Sequence, residues 1–309
     1  MIGTITLNPS IDQNLLVDHL VKDDANRAKQ IRETPGGKGI NVSKVVRELG
    51  GKTCAYALLG GFTGERLKEL VIKLDFPLKS LSVRGNTRVN TIITDLKDET
   101  QTRISAPGPV ISSKEAKQFL RFLLSVRPKP KFWALGGSLS AGMNPSAYRD
   151  FIWALQDKGI PCILDTDNEA LQLGVEATPY MIKPNEYEME RLWGKPLKSI
   201  PDYLMAAESF VHRGIELVIV SLGAKGALFV TRKKAFHALA PKVPVKSKVG
   251  AGDSLISGVV WSLCQGKALE EAAKIGIAAS SSAVMREAPR LCLRSDIRTL
   301  VRRVKMYYF

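Results

Sequence analysis

The chain has 309 residues, 45% of them hydrophobic and 24% charged, so it is long enough to bury one large α/β core or two small ones. Its four cysteines are widely spaced, with no C-x-x-C pair and no histidine close by, which speaks against a zinc site and a disulfide framework. The N-terminus shows no signal-peptide pattern, and no apolar run approaches the roughly eighteen residues of a membrane span. We therefore expect a cytoplasmic protein with no membrane partner.

The formal net charge of +15 raises nucleic-acid binding as a competing hypothesis, because a basic surface also attracts a phosphate backbone. The one concentrated basic block is C-terminal, and the spacing of Arg294, Arg298 and Arg302 is typical of a solvated helix face. No helix-turn-helix, zinc-finger or aromatic-basic signature accompanies it. We do not expect nucleic acid to be a partner.

The first part of the chain predicts strands in two different settings. Alternating apolar residues predict a strand over 2–7, which Asn8-Pro9-Ser10 breaks. Residues 11–35 alternate loosely and carry many charges, which predicts strands outside the main sheet. A helix is expected over 39–49 and a strand over 53–59.

A short helix is predicted over 64–74, and a hairpin is predicted from residues 87–96 and 100–105. Together with residues 11–35, this hairpin is expected to form a small sheet over the active site. We call this sheet the lid and place it at approximately 11–35 and 87–106.

The rest of the chain alternates between helices and strands. Helices are expected over 112–126, 144–158, 201–213 and 253–265, and strands over 132–135, 161–165, 181–183, 217–221 and 227–231. Alternation at this spacing predicts a single α/β domain over 1–309, with a doubly wound, mostly parallel sheet flanked by helices.

Residues 248–253, Lys-Val-Gly-Ala-Gly-Asp, place a glycine-rich turn and one carboxylate directly before an apolar helix. The unpaired amides of such a helix start, here those of Gly250, Ala251 and Gly252, bind anions. A carboxylate in this position makes sense if Asp253 accepts a proton beside a developing phosphoryl charge. Asp253 is explained equally well as a helix N-cap, since aspartate is a favoured capping residue.

A second glycine-rich turn, at residues 34–41, opens another amphipathic helix. Polar residues also follow four of the predicted strands, at 136–138, 165–167, 183–185 and 221–223. Each of these segments alone is typical of an ordinary strand-to-helix turn. Because ligands bind across the carboxyl edge of an open α/β sheet, the whole set indicates a nucleotide and sugar site.

The two glycine turns, Gly36-Gly37-Lys38-Gly39-Ile40-Asn41-Val42 and Val249-Gly250-Ala251-Gly252-Asp253-Ser254, resemble the two signatures of the PfkB carbohydrate kinase family. Further matches lie between them in the same order, at 8–12, 59–64, 87–90, 136–139, 183–188 and 221–226. The resemblance covers nearly the whole chain. It implies a ribokinase-like α/β fold with a small β-sheet lid.

The resemblance also implies ATP-dependent phosphoryl transfer to a sugar hydroxyl, with Asp253 as the base and the amides of residues 250–252 as the anion hole. Mg²⁺ is the implied metal, linked to Asn185 and to Glu188, the latter through water because Mg²⁺ keeps several waters. The implied nucleotide contacts are Lys183, Asn185, Ser221, Gly223 and Gly226, with Val249, Ala279 and Ser282 around the adenine. The implied sugar contacts are Asp12, Gly37, Lys38, Asn41 and Ser138.

Within the family, Asn26-Arg27 and residues 87–90 look like the branch that phosphorylates ketohexose phosphates. Residues 87–109 look more like the family members that act on fructose 1-phosphate, which is therefore the expected acceptor. Residues 290–292 resemble those that act on fructose 6-phosphate, and tagatose 6-phosphate is a third candidate. Ser140-Ala141 replaces two prolines that are usual in the family. A sugar-phosphate-binding regulator without activity is the alternative of another class, and the presence of Asp253 speaks against it.

Four basic residues, Arg27, Lys38, Arg88 and Arg103, are expected to converge on the phosphate of the sugar. Arg88 and Arg103 fall on the two strands of the predicted hairpin, and a guanidinium fork matches phosphate oxygens. For Arg103 alone, a solvated charge on an edge strand is the commoner explanation. The unpaired edges and bare face of the lid further predict a homodimer joined through the lid sheet.

Overall fold

The computed structural model describes residues 1–287 and 290–309. The strands are β1 (Ile2–Thr6), β2 (Ser10–Val17), β3 (Gln30–Gly36), β4 (Thr53–Leu59), β5 (Leu78–Ser82), β6 (Arg88–Asp95), β7 (Thr100–Ile104), β8 (Phe132–Gly136), β9 (Cys162–Asp165), β10 (Met181–Ile182), β11 (Leu217–Ser221), β12 (Ala227–Val230), β13 (Ala235–Leu239) and β14 (Lys305–Tyr308). The helices are α1 (Lys38–Glu48), α2 (Gly61–Ile72), α3 (Ser113–Ser125), α4 (Ala147–Gln156), α5 (Asn168–Gly174), α6 (Glu186–Trp193), α7 (Ile200–His212), α8 (Ala251–Cys264), α9 (Leu269–Val284) and α10 (Arg294–Leu300).

The large sheet has ten strands in the order β14-β13-β12-β11-β10-β9-β8-β1-β4-β5. Every neighbouring pair from β11 to β5 in this order is parallel. The edge formed by β11 to β14 is antiparallel. Parallel strands are covered on both faces and therefore consist of long apolar runs, as in β4, which is buried along its whole length. The predicted doubly wound, mostly parallel sheet is confirmed.

Helices cover both faces of this sheet. One face packs against α3 to α7 around Tyr148 and Phe210, and the other packs against α1, α8 and α9 around Val259. A Cβ atom on Gly258 of α8 would lie 2.7 Å from the Cα of Gly276 on α9, so these two helices meet at backbone contact. Close packing of α8 fixes where its first turn, which carries Asp253, meets the sheet.

The lid is a four-stranded sheet in the order β3-β2-β6-β7. Strands β2 and β6 pair in parallel, whereas the two outer pairs are antiparallel. Ile11 and Val89 anchor the lid on the apolar cluster of α2, and β7 is exposed along its whole length. The small sheet that the sequence predicts is therefore present.

Several elements differ from the sequence predictions. Strands β5, β13 and β14 and helices α5 and α6 were not predicted, because each is short and is held by pairing or packing with distant segments. Helix α10 ends at Leu300 and a 3₁₀ turn follows, so Arg302 does not share the helix of Arg294 and Arg298. Across residues 1–287 and 290–309, no helix combines the length and apolarity needed to cross a bilayer.

Candidate active site

Asp253 lies in the first turn of α8, where its side chain is nearly enclosed. The N-cap of this helix is Gly250, in the left-handed region at φ 75°. Asp253 is therefore the third residue of the helix and not its cap, which removes the simple capping explanation. Gly252 adopts no positive φ, so within this turn the left-handed conformation that favours glycine occurs at Gly250 and not at Gly252.

The side-chain amide of Asn41, on α1, donates from Nδ2 to Oδ2 of Asp253 at 2.8 Å. Burial raises the pKa of Asp253 above its ordinary value, while the positive charge of Lys38 works in the opposite direction. A desolvated carboxylate that is held by one amide is a better proton acceptor than a surface aspartate.

Two lysines approach Asp165, at the end of β9. Lys38 Nζ lies 3.0 Å from Oδ2, and Lys183 Nζ lies 3.4 Å from Oδ1. Burial works against the charge of Lys38, but Asp165 and then Asp253 outweigh it and raise the pKa of Lys38 above its ordinary value. The ammonium of Lys38 is thus kept charged at the edge of the sheet.

Lys183 also adjoins the start of α8. A Cβ atom on Gly252 would lie 3.4 Å from both Cε and Nζ of Lys183, so the ammonium is beside the unpaired amides of that helix. Backbone amides and an ammonium next to one buried carboxylate can stabilise phosphoryl oxygens while the carboxylate takes a proton.

Asn185 and Glu188 form a capping box at the start of α6. Asn185 Oδ1 accepts from the amide of Glu188 at 2.8 Å, and Glu188 Oε2 accepts from the amide of Asn185 at 2.9 Å. The N-x-x-E spacing that predicts a metal site therefore also has a structural explanation. The amide oxygen of Asn185 is already used by this cap.

Asp165 and Glu188 supply oxygen atoms that fit a hard cation. Asp165 Oδ1 is buried, and its one polar neighbour among the described residues is the ion-paired Lys183 Nζ at 3.4 Å. Burial raises the pKa of Glu188 above its ordinary value, although Lys183 opposes the shift, and only its Oε2 serves the helix cap. Carboxylate oxygens with room for water suit Mg²⁺. Glu188 therefore fits the predicted metal role better than Asn185 does.

The predicted nucleotide contacts fall into two groups. Ser221 ends β11 and forms a parallel bridge with Asn185, and Gly223 opens the turn that follows. A Cβ atom on Gly226 would lie 2.0 Å from the carbonyl oxygen of Ala238, which explains this glycine by strand packing. These residues border the strand edge that carries Lys183.

The second group, expected around the adenine, is only partly accessible. Val249 is half-buried in the turn before α8. Ala279 and Ser282 are fully buried, and Ser282 Oγ donates to Asp296 Oδ2 at 2.7 Å. Both residues pack beneath the C-terminal helix α10, and their place around the adenine stays a prediction.

Among the predicted sugar contacts, Asp12 lies at the base of the lid, next to the second glycine turn. Asp12 Oδ1 accepts from Asn90 Nδ2 at 2.8 Å, and a Cβ atom on Gly36 would lie 2.5 Å from Asp12 Oδ2. Gly37 is the N-cap of α1 at φ 115°. The structure therefore brings the second glycine turn and the lid carboxylate together.

Ser138 belongs to a loop that Asn8 holds in place. Asn8 Nδ2 lies 3.3 Å from Ser138 Oγ and 3.2 Å from the carbonyl oxygens of Pro107 and Leu139. Ser140, one of the departures from the family pattern, donates to the carbonyl oxygen of Leu7 at 2.9 Å. The loop is thus anchored without the usual prolines.

The structure places the four basic residues of the predicted sugar-phosphate site in different settings, and their convergence on the phosphate stays a prediction. Lys38 is ion-paired with Asp165, and Arg27 is exposed in the loop between β2 and β3, not on a strand. Arg103 pairs with Ile92, so it is displaced along the ladder from Arg88. Arg88 remains at the base of the lid, where its two terminal nitrogens donate to Ala106 O and Asn8 O at 3.0 and 2.9 Å.

Sequence reasoning missed the contributions of Asp165, Asn8 and Asn90. Asp165 carried a signal, since it follows a predicted strand, but its lysine partners come from distant segments. The side-chain amide of Asn8 holds Ser138, and that of Asn90 holds Asp12. An asparagine at either position gives no sequence signal of such a contact.

We call the amides of residues 250–252 and the ammonium of Lys183 the phosphate cradle. A carboxylate that takes a proton beside such a group has the chemistry of a kinase that acts on an alcohol. The chain belongs to the pfkB family of carbohydrate kinases, which residues 2–296 match. The 1-phosphofructokinase of Bacillus subtilis (strain 168) is 32% identical over 287 residues, 93% of each chain. The 1-phosphofructokinase of Escherichia coli (strain K12) is 31% identical over 309 residues, 100% of this chain and 98% of that one.

Solved structures show the same fold over the whole chain. Phosphofructokinase-2 from Escherichia coli in complex with potassium superposes with a TM-score of 0.94 at 31% identity and covers 98% of both chains. A possible 1-phosphofructokinase from Thermotoga maritima gives a TM-score of 0.91 at 26% identity, covering 100% of this chain and 99% of that one. The enzyme is therefore a ribokinase-like sugar kinase.

Proposed function

We propose that the enzyme transfers the γ-phosphoryl group of ATP to a hydroxyl of a phosphorylated ketohexose, with fructose 1-phosphate as acceptor and fructose 1,6-bisphosphate as product. The observation that carries the proposal is the buried Asp253 carboxylate, held by Asn41 at 2.8 Å beside the amides at the start of α8. The curated relatives named 1-phosphofructokinase support the choice of acceptor.

Asp253 acts as the general base. Asn41 occupies its Oδ2, which leaves Oδ1 for the acceptor hydroxyl. The hydroxyl oxygen attacks the γ-phosphorus as its proton passes to the carboxylate, and ADP leaves. The amides of Gly250, Ala251 and Gly252, together with Lys183, stabilise the charge that develops on the phosphoryl oxygens.

Mg²⁺, when bound, would supply positive charge that neutralises part of the charge on the phosphates of ATP. Glu188 would hold it through water, next to Asp165, while Asn185 shapes the start of α6. Ser221, Gly223, Gly226 and Val249 are placed along the strand edge where the nucleotide would lie. Lys183 connects this edge with the phosphate cradle.

Arg88 supports a phosphorylated acceptor. Its Nε is buried without a hydrogen-bond partner among the described residues, so it is a donor available to an acidic group. Burial lowers the pKa of Arg88, although Asp12 opposes the shift. A buried guanidinium at the base of the lid is suited to a phosphate.

Fructose 6-phosphate is a second candidate acceptor, because a phosphofructokinase-2 from Escherichia coli solved in complex with fructose-6-phosphate has a TM-score of 0.92 at 30% identity. A turnover screen of purified enzyme with ATP and Mg²⁺ should compare fructose 1-phosphate, fructose 6-phosphate, tagatose 6-phosphate and fructose. The highest kcat/KM is expected with fructose 1-phosphate. A preference for unphosphorylated fructose would contradict the proposal.

The proposed assembly is a homodimer joined through the lid. Leu15, Ile31 and Ile93 lie in register across β2, β3 and β6, and Ile104 of β7 falls on the same face. Ile31 and Ile104 each expose 59% of their surface. An apolar face of this kind is covered most simply by a second copy.

A further inference from the structure

Lys44 lies on α1, one turn beyond Asn41, with its ammonium inside the protein. Its Nζ donates to Asn41 Oδ1 at 3.2 Å and to the carbonyl oxygen of Pro35 in β3. The ammonium therefore contacts the lid strand and the amide that holds the proposed base.

Lys44 determines which way the Asn41 amide points. An ammonium can only donate, so it must face the amide oxygen of Asn41. The NH₂ end is thereby turned toward Asp253, where Nδ2 lies 2.8 Å from Oδ2. In the reversed orientation the amide nitrogen would face an ammonium and the amide oxygen would face a carboxylate.

We propose that Lys44 is a positioning residue that acts through Asn41 to hold the Asp253 carboxylate ready for the proton of the acceptor. The inference rests on the proposed function, because it takes Asp253 as the base. Without the ammonium, the amide of Asn41 is free to rotate and Asp253 Oδ2 loses its fixed donor.

The charged groups facing Lys44 are Asp12, on β2 of the lid, and Asp253, on α8. Burial lowers the pKa of Lys44 to about 8, and the two carboxylates limit the fall. Lys44 is therefore charged at neutral pH and loses its proton as the pH rises through about 8. A neutral amine can accept as well as donate and no longer dictates the orientation of Asn41, so kcat should fall in the same range.

The test compares Lys44→Met and Lys44→Arg with the control Lys68→Met, a lysine of α2 that pairs with Glu65. Lys44→Met is expected to lower kcat roughly 10- to 100-fold, with the KM for ATP unchanged and no further fall above pH 8. Arginine stays charged at every working pH, so Lys44→Arg should keep most of the neutral activity and retain it at about pH 9. Lys68→Met should behave as wild type.

A double variant separates positioning from a merely structural role. If Lys44 acts through Asn41, adding Lys44→Met to Asn41→Ala lowers kcat no further than Asn41→Ala alone. Additive losses, or an unchanged kcat and pH profile in Lys44→Met, overturn the inference. If Lys44→Met does not fold, the pH profile of kcat in Lys44→Arg decides the question. A fall in kcat at alkaline pH equal to that of wild type would overturn the inference.

The kinetics use whichever carbohydrate acceptor the wild-type enzyme phosphorylates. A different acceptor then revises the proposed substrate and leaves the test of Lys44 intact. If Lys44→Met lost activity while Asn41→Ala kept the activity of the wild-type enzyme, the lysine would not work through the amide, and the inference would be overturned.

Discussion

One carboxylate oxygen of Asp165 lies 3.0 Å from the Nζ of Lys38, which joins the end of β9 to the start of α1. Burial favours the neutral form of Asp165, but Lys183 and Lys38 outweigh it and hold its pKa below the ordinary value. A single aspartate thus keeps two cations beside the phosphate cradle. Without it, the buried Lys183 would have no carboxylate within ion-pair distance among the described residues.

Asp165→Asn should lower the free energy of unfolding by about 3 kcal/mol at neutral pH, because it leaves buried ammonium groups unpaired. The contribution of a carboxylate with a lowered pKa is present above the unfolded-state value of about 3.9 and is lost as the pH falls through the folded value. The difference from wild type should therefore shrink below about pH 4. Urea unfolding at several pH values checks this, with exposed Asp167→Asn as the control. Equal stability of Asp165→Asn and wild type at neutral pH would contradict the ion-pair role.

The two glycine turns could be predicted from sequence because a helix start is a local feature, set by residues adjacent in the chain. The group formed by Lys38, Asp165 and Lys183 could not, because its members come from three segments that only the order of the sheet brings together. The same holds for Asn8, which joins loops near Pro107 and Ser138. Sequence reasoning thus found the chemical groups and missed the contacts that place them.

Prediction of the site from sequence was also limited by patterns that have two physical explanations. Asn185 and Glu188 were read as a metal motif, and the structure shows that their spacing also builds a helix cap. Ala279 and Ser282 are expected around the adenine, and their burial beneath α10 also explains them as packing residues. Small or capping residues at helix positions serve both purposes, so sequence alone does not separate them.

Asp253→Asn should lower kcat by about 10² to 10⁴, the usual contribution of a positioned general base. The fold and the affinity for nucleotide should be retained, because the change removes a buried charge and no volume. In wild type the raised pKa of Asp253 should move the acid limb of kcat above the ordinary aspartate value of 3.8. Steady-state kinetics across pH check both points, with surface Asp157→Asn as the control. A near-normal kcat in Asp253→Asn would refute the role of base.

Gly252→Ala should separate activity from stability. Gly252 has helical geometry and a new Cβ would make only ordinary contact with Lys183, so the fold should be kept or stabilised by roughly 0.5 to 1 kcal/mol. The methyl group nevertheless enters the space where phosphoryl oxygens meet the amides, and kcat should fall on the order of 10²-fold. Gly250→Ala is the contrast, because its φ of 75° makes it destabilising by roughly 1 to 2 kcal/mol. Thermal unfolding and kinetics of both variants test the pair.

Arg88→Ala should raise the KM for the sugar phosphate roughly 10- to 100-fold and leave the KM for ATP nearly unchanged, since a charge-assisted contact is worth on the order of 1.5 to 3 kcal/mol. Its guanidinium lies at the base of the lid, whereas Arg103 lies on the exposed edge strand β7. Arg103→Ala is therefore the matched control and should change the KM little. A loss of ATP affinity in Arg88→Ala with unchanged sugar affinity would contradict the assignment.

The proposed dimer can be broken at one lid position. Ile31 exposes 59% of its surface on the edge strand β3 and shares a face with Leu15 and Ile93 of the neighbouring strands. A carboxylate buried there between two copies would have no partner, so Ile31→Glu should convert the dimer to a monomer at micromolar concentration. Ile72→Glu, at a position of α2 that is 75% exposed and lies outside the lid, should leave the dimer intact. Sedimentation velocity on both variants and wild type decides the point. A wild-type monomer, or a dimer that survives Ile31→Glu and Ile93→Glu alike, would mean that the lid face is not the interface.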